Sequence, residues 1–83
     1  MSVSVFIQDH GGDYNFDYDF DTRILARKFV GFVLSSGGYW SGSTPQWHAG
    51  IMDGNFSWEG TGDVFIPLHR IDRFELTEHE DEK

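Results

Sequence analysis

From Asp13 to Asp21 the chain alternates polar and aromatic residues without a break: Asp13, Tyr14, Asn15, Phe16, Asp17, Tyr18, Asp19, Phe20, Asp21. A period of two belongs to a β-strand, whose successive side chains point to opposite faces, whereas a helix would scatter the aromatics around its axis. The run predicts a strand with Tyr14, Phe16, Tyr18 and Phe20 on one face and Asp13, Asn15, Asp17, Asp19 and Asp21 on the other. Side chains on one strand face recur every ~6.5–7 Å, a pitch comparable to that of successive phosphates on a nucleic-acid strand. Asp is depleted in strands and like charges on one face repel, so shape alone does not call for this row. The plainer account is a solvated face whose charge discourages edge-to-edge pairing.

Charge is unevenly placed along the chain. Residues 9–21 hold five Asp and no Lys or Arg, and residues 78–83 hold four acids against Lys83. Residues 22–77 carry five basic and five acidic residues, so the net charge of −8 comes from the early segment (−5) and the end of the chain (−3). Such a balance repels nucleic acid and anionic membranes and attracts basic protein surfaces. Direct nucleic-acid binding and membrane association are therefore not expected.

At 83 residues the chain is one small domain, and with no cysteine it has no disulfide or thiolate framework to help it. Its eight Phe, three Trp and three Tyr must supply the core. The absence of Cys fits a reducing compartment, and the first residues show neither a basic n-region nor an apolar run of signal-peptide or membrane-span length. A soluble, cytoplasmic protein is the expectation.

Ser2 to Gln8 alternates with Val3, Val5 and Ile7 on one face, and His10-Gly11-Gly12 is a turn signal, so residues 2–20 predict a β-hairpin. Asp21 or Thr22 begins a helix over 22–35, where Ile24, Leu25, Phe29, Phe32 and Val33 recur at helical spacing and Gly37-Gly38 is the stop. Gly31 inside it is read as room for a strand to approach. Residues 35–45 predict a small-residue loop interrupted by Tyr39 and Trp40. Trp47–Met52 and Asn55–Trp58 predict a second hairpin around Asp53-Gly54. Val64, Ile66 and Leu68, then Phe74 and Leu76, alternate as two short strands bent at 69–72, with Pro67 requiring an edge or bulge. The order β-β-α-β-β-β describes a small single-domain α+β fold over residues 1–77, one helix packed on an antiparallel sheet, with 78–83 as an acidic disordered tail.

No catalytic pattern accompanies this fold. Asp13-x-Asn15-x-Asp17 matches the first half of a calcium loop, but Tyr18 stands where the loop needs Gly and Ile24 where it needs Glu. His10, His48, His69 and His79 lack metal-ligand spacing, and the serines and glycines of 35–45 form neither a nucleophile elbow nor a phosphate cradle. The chain is expected to use no metal, no cofactor and no catalytic residue. Aromatics in a Gly/Ser setting are suited to anchor an interface, which adds Tyr39 and Trp40 to Asp13, Asp17, Asp19 and Asp21 as the partner-binding set.

Small, acidic, Cys-free chains of this kind are similar in general character to phage anti-restriction and anti-CRISPR proteins and to toxin-immunity proteins. The likeness covers size and charge and carries over no residue. It implies an inhibitor that meets a basic nucleic-acid-binding protein by imitating a phosphate backbone. The alternative is a structural or assembly subunit, a homo-oligomer that self-associates through a strand edge.

Overall fold

A computed structural model of the chain describes residues 2–50, 54–60, 62 and 64–79. The first hairpin forms as the alternation predicts: β1 (Ser2–Asp9) pairs antiparallel with β2 (Phe16–Phe20), setting Val3 opposite Phe20, Val5 opposite Tyr18 and Ile7 opposite Phe16. These residues share the core face. β2 starts three residues later than the run of alternation. The chain between Asp9 and Phe16 turns through Gly12 at φ 78°, and the Asn15 side chain accepts a hydrogen bond from the Asp9 amide at 2.9 Å. Tyr14 and Asp13 therefore lie in an exposed loop and not on the strand faces.

Helix α1 (Arg23–Ser36) follows, and Thr22 Oγ1 caps it by accepting from the Leu25 amide at 3.1 Å. Gly37 ends it in the left-handed region at φ 84°. Ala26, Phe29 and Val33 form its fully buried stripe. Gly31 stands on the exposed side, and a Cβ there would meet nothing within 4 Å, so no strand among the described residues approaches it.

The rest of the chain adds four strands and a return. β3 (Gly38–Ser41) pairs with β6 (Val64–Pro67), and β4 (Thr44–His48) with β5 (Asn55–Glu59), both antiparallel. A 3-10 turn (Leu68–Arg70) makes the bend anticipated at 69–72. β7 (Ile71–His79) then returns along β1, so the main sheet runs β2-β1-β7.

The architecture is the expected α+β with one helix and antiparallel pairing, but with seven strands among the described residues where the order β-β-α-β-β-β has five. β3 is drawn from the segment read as loop, β4 also begins inside that segment, and the two short strands on either side of the 69–72 bend stand separately as β6 and β7. The first residue of β3, Gly38, lies so close to the Ile66 carbonyl that a Cβ would stand 2.0 Å from the oxygen. The second hairpin is shifted toward the N-terminus, with His48 opposite Asn55. Its anticipated Asp53 turn lies outside the described residues. β7 carries the chain through Glu78 and His79, two residues into the stretch read as tail. Residues 80–83 lie outside the described residues.

The core is aromatic and centred on Phe29. Its ring lies 5.3 Å from Phe16, 5.2 Å from Phe20, 5.7 Å from Phe56 and 5.8 Å from Trp58. Helix α1 and the β4–β5 hairpin thus meet over the same face of the main sheet. The opposite face has no such cover among the described residues, and that leaves β2's carboxylates in solvent.

Candidate acidic interface on the sheet edge

β2 is an edge strand, hydrogen-bonded on one side only among the described residues. Phe16 and Phe20 point into the core, so the pleat must turn Asp17 and Asp19 outward, and both are exposed. Asp21, just beyond the strand, is exposed as well. The three carboxylates follow the chain at every second residue. Across the outer face Asp17 stands opposite Phe6, which in turn stands opposite Glu75 of β7. Two strand spacings, ~9.6 Å, separate those two acids.

Beside the carboxylates runs a groove of about 220 Å³, lined among others by Tyr18, Asp19, Asp21, Leu25, Trp47 and Phe56. It combines ring faces with carboxylates, the two features that hold a guanidinium or ammonium group. Trp47 already receives one cation: Lys28 Nζ lies 5.9 Å from its ring centroid. Tyr18 and Trp47 are not among the residues that the sequence places at an interface. Both belong to apolar alternation, and nothing in the sequence marks them as half-buried and able to line a groove.

Asp19 is positioned by a neighbour. Ser4 Oγ donates to Asp19 Oδ1 at 2.5 Å, and His79 Nε2 lies 2.7 Å from the same Ser4 oxygen. Ser, His and Asp are the residues of a nucleophilic triad, but the order is wrong for one. A nucleophilic serine gives its proton to the histidine, which sits between serine and carboxylate. Here the serine sits in the middle and gives its proton to the carboxylate, so His79 donates to Ser4 and the oxygen is not activated. The cluster fixes the orientation of Asp19 and ties β2, β1 and β7 together on the outer face.

The other expected site residues do not join this edge. Asp13 is exposed in the β1–β2 loop, where Asp13 Oδ2, Asp9 Oδ2 and Arg70 Nη2 all lie within 4 Å of the place a Gly11 Cβ would occupy. Trp40 is 38 % exposed on β3, with its ring 5.1 Å from that of Phe65 opposite it on β6. Tyr39, expected as a surface anchor, is fully buried and offers no ring face to a partner. The pleat that turns Trp40 outward turns Tyr39 inward, and its hydroxyl donates to the Tyr14 carbonyl at 2.7 Å. Burial first, and the charge of Asp9 second, push the Tyr39 hydroxyl up from 10.0 to about 12.

Asp9 itself is only 1 % exposed, and its Oδ2 is shielded from solvent with no hydrogen-bond partner among the described residues. It lines a cavity of about 100 Å³ with Tyr14, Arg70 and the β6 residues Val64 to Pro67.

No helix among the described residues is long and apolar enough to cross a membrane. Comparison of the chain with protein-family models, with curated proteins and with solved structures finds no match.

Proposed function

We propose that this chain is a binding protein that inhibits a basic, nucleic-acid-binding protein or complex by presenting carboxylates where that target expects phosphates. One observation carries the reading. Asp17, Asp19 and Asp21 stand exposed in sequence along an open strand edge, beside a groove whose Tyr18 and Trp47 rings suit Arg or Lys side chains. A target that binds nucleic acid already holds its basic groups in a row, and carboxylates at strand pitch meet them without rearrangement. Complementary charge of this kind speeds encounter and selects the partner. The same charge disfavours direct binding to nucleic acid or to anionic membranes. The core aromatics hold the edge in place, and Tyr18, Trp47 and Phe56 also line the groove beside it. The setting that suits a cysteine-free chain of this sort is the cytoplasm, and the resemblance in size and charge is to anti-restriction, anti-CRISPR and immunity proteins of phage or bacterial origin.

The test is capture from a host lysate by wild type and by the Asp17→Lys/Asp19→Lys variant, at low and moderate salt. Asp17 is exposed, and Asp19 gives up only an exposed hydrogen bond from Ser4, so circular dichroism should show an unchanged fold. Wild type should retain a nucleic-acid-binding protein that salt releases, and the variant should retain none. Equal capture by both proteins would remove the carboxylates from the mechanism.

A further inference from the structure

The other edge of the sheet has a different character. β7 is nine residues long and pairs with β1 along its length, while its far side pairs with no strand among the described residues. A long unpaired edge is a template for another strand. Leu76, on the core face of this edge, is 40 % exposed, and Phe74 beside it is half-buried. Above them the helix flank is held over β7 by the ion pair between Arg23 and Glu78. At 100° per residue Arg23, Val30 and Leu34 fall within an arc of ~40°, so Val30 and Leu34 lie on that same flank. Leu34 is 51 % exposed. Apolar side chains of strand and helix thus border the open edge on its core side.

We infer that β7 pairs antiparallel with β7 of a second copy, in the register centred on Phe74. A two-fold axis normal to the sheet must pass beside one residue, because only then do core-facing residues of one copy meet core-facing residues of the other. Centring on Arg73 or on Glu75 sets like charges directly opposite, which destabilises a pair. Centring on Leu76 faces Glu75 with Thr77 and Arg73 with His79. Centring on Phe74 faces Arg73 of each copy with Glu75 of the other. Within one copy Arg73 Nε already lies 3.0 Å from Glu75 Oε2. The dimer would close these into a four-charge ring on the outer face, with Phe74 against Phe74 beneath it. The result is a six-stranded sheet, with both helices on one side and Leu34, Val30 and Leu76 of the two copies filling the space between them. This inference stands without the inhibitor reading. If both hold, the two β2 edges lie five strand spacings apart, ~24 Å, and one dimer offers two acidic edges.

The test is sedimentation equilibrium of the intact chain from micromolar to millimolar concentration. Wild type should pass from monomer to dimer and no further. Glu75→Arg and Arg73→Glu should each remain monomeric, since each places like charges opposite. The double exchange Arg73→Glu/Glu75→Arg should recover the dimer. Both side chains are exposed, and near-ultraviolet circular dichroism should confirm that every variant is folded. A wild type that stays monomeric would overturn the inference and leave β7 to a strand of a different protein. A dimer indifferent to the single exchanges, or not recovered by the double one, would overturn this interface.

Discussion

β2 and β7 are the two edges of one sheet, both flanking β1, and the same symmetry operation has opposite consequences at each. β2 reads Phe16-Asp17-Tyr18-Asp19-Phe20, a palindrome, so a two-fold axis beside Tyr18 would set Asp17 of one copy against Asp19 of the other, twice. At β7 an axis beside Phe74 sets Arg73 against Glu75, twice. Both edges are open among the described residues, and both have an apolar face turned toward the core. The order of charges along an edge, more than its exposure, determines which strands it accepts. On the proposed readings, the charge order of β2 opposes its own copy and favours a basic partner, while that of β7 favours a copy of itself.

The most drastic way to break this contrast is to remove the frame that both edges share. Phe29→Ala deletes the ring that Phe16, Phe20, Phe56 and Trp58 all touch, and large-to-small changes of this type cost ~3–5 kcal/mol. In urea denaturation the midpoint should fall sharply, and partner capture and self-pairing should be lost together. Survival of either edge's behaviour in an unfolded variant would show that the folded edge is not its source.

High pH should load one side of the molecule more than the other. The buried Tyr39 releases its proton near pH 12, against 10.0 for an unperturbed tyrosine. The unfolded state therefore loses this proton first. The contribution is fully present below pH 10 and is lost as pH rises from 10 to about 12, a change of ~2–3 kcal/mol when complete. Tyr39→Phe should flatten this part of the stability profile. At neutral pH the substitution should cost about 1 kcal/mol, because the Tyr14 carbonyl loses its donor. That carbonyl lies in the loop leading into β2, so hydrogen exchange should quicken in β2 and leave β7 unchanged. An equal rise in both strands would show that the tie is not local.

The mildest change should leave the contrast untouched. Gly31 sits on the open side of the helix, so Gly31→Ala should raise stability by ~0.5–1 kcal/mol, read as a higher denaturation midpoint with both edges behaving as before. A loss of stability would mean that an unseen neighbour occupies that side.

How much of this is legible in the sequence depends on whether the signal is local. The strand period of residues 16–20, the Thr22 cap and the Gly37 stop all write themselves into neighbouring residues, and the outward turn of Asp17 and Asp19 follows from that period. Tyr14 breaks the rule because Gly12 and the Asn15 side chain turn the backbone before the strand begins, although the residue types continue to alternate. β3 is hidden because Gly38 serves contact with the Ile66 backbone, twenty-eight residues later, and in sequence it looks like loop. Tyr39 misleads for the same reason: without β3 there is no pleat to turn it inward. The pairing of β1 with β7 joins the two ends of the described chain, and no local pattern announces it. The self-complementary order of Arg73 and Glu75 therefore acquires meaning only once β7 is known to be an edge.

The most direct test compares solution masses by sedimentation equilibrium for wild type, Glu75→Arg and Asp19→Lys. Asp19→Lys converts the palindromic edge into one where Asp17 faces the introduced lysine of a second copy, so the protein then carries two self-pairing edges. The account predicts dimer for wild type, monomer for Glu75→Arg and open-ended assembly for Asp19→Lys. A single common mass for the three proteins would contradict it.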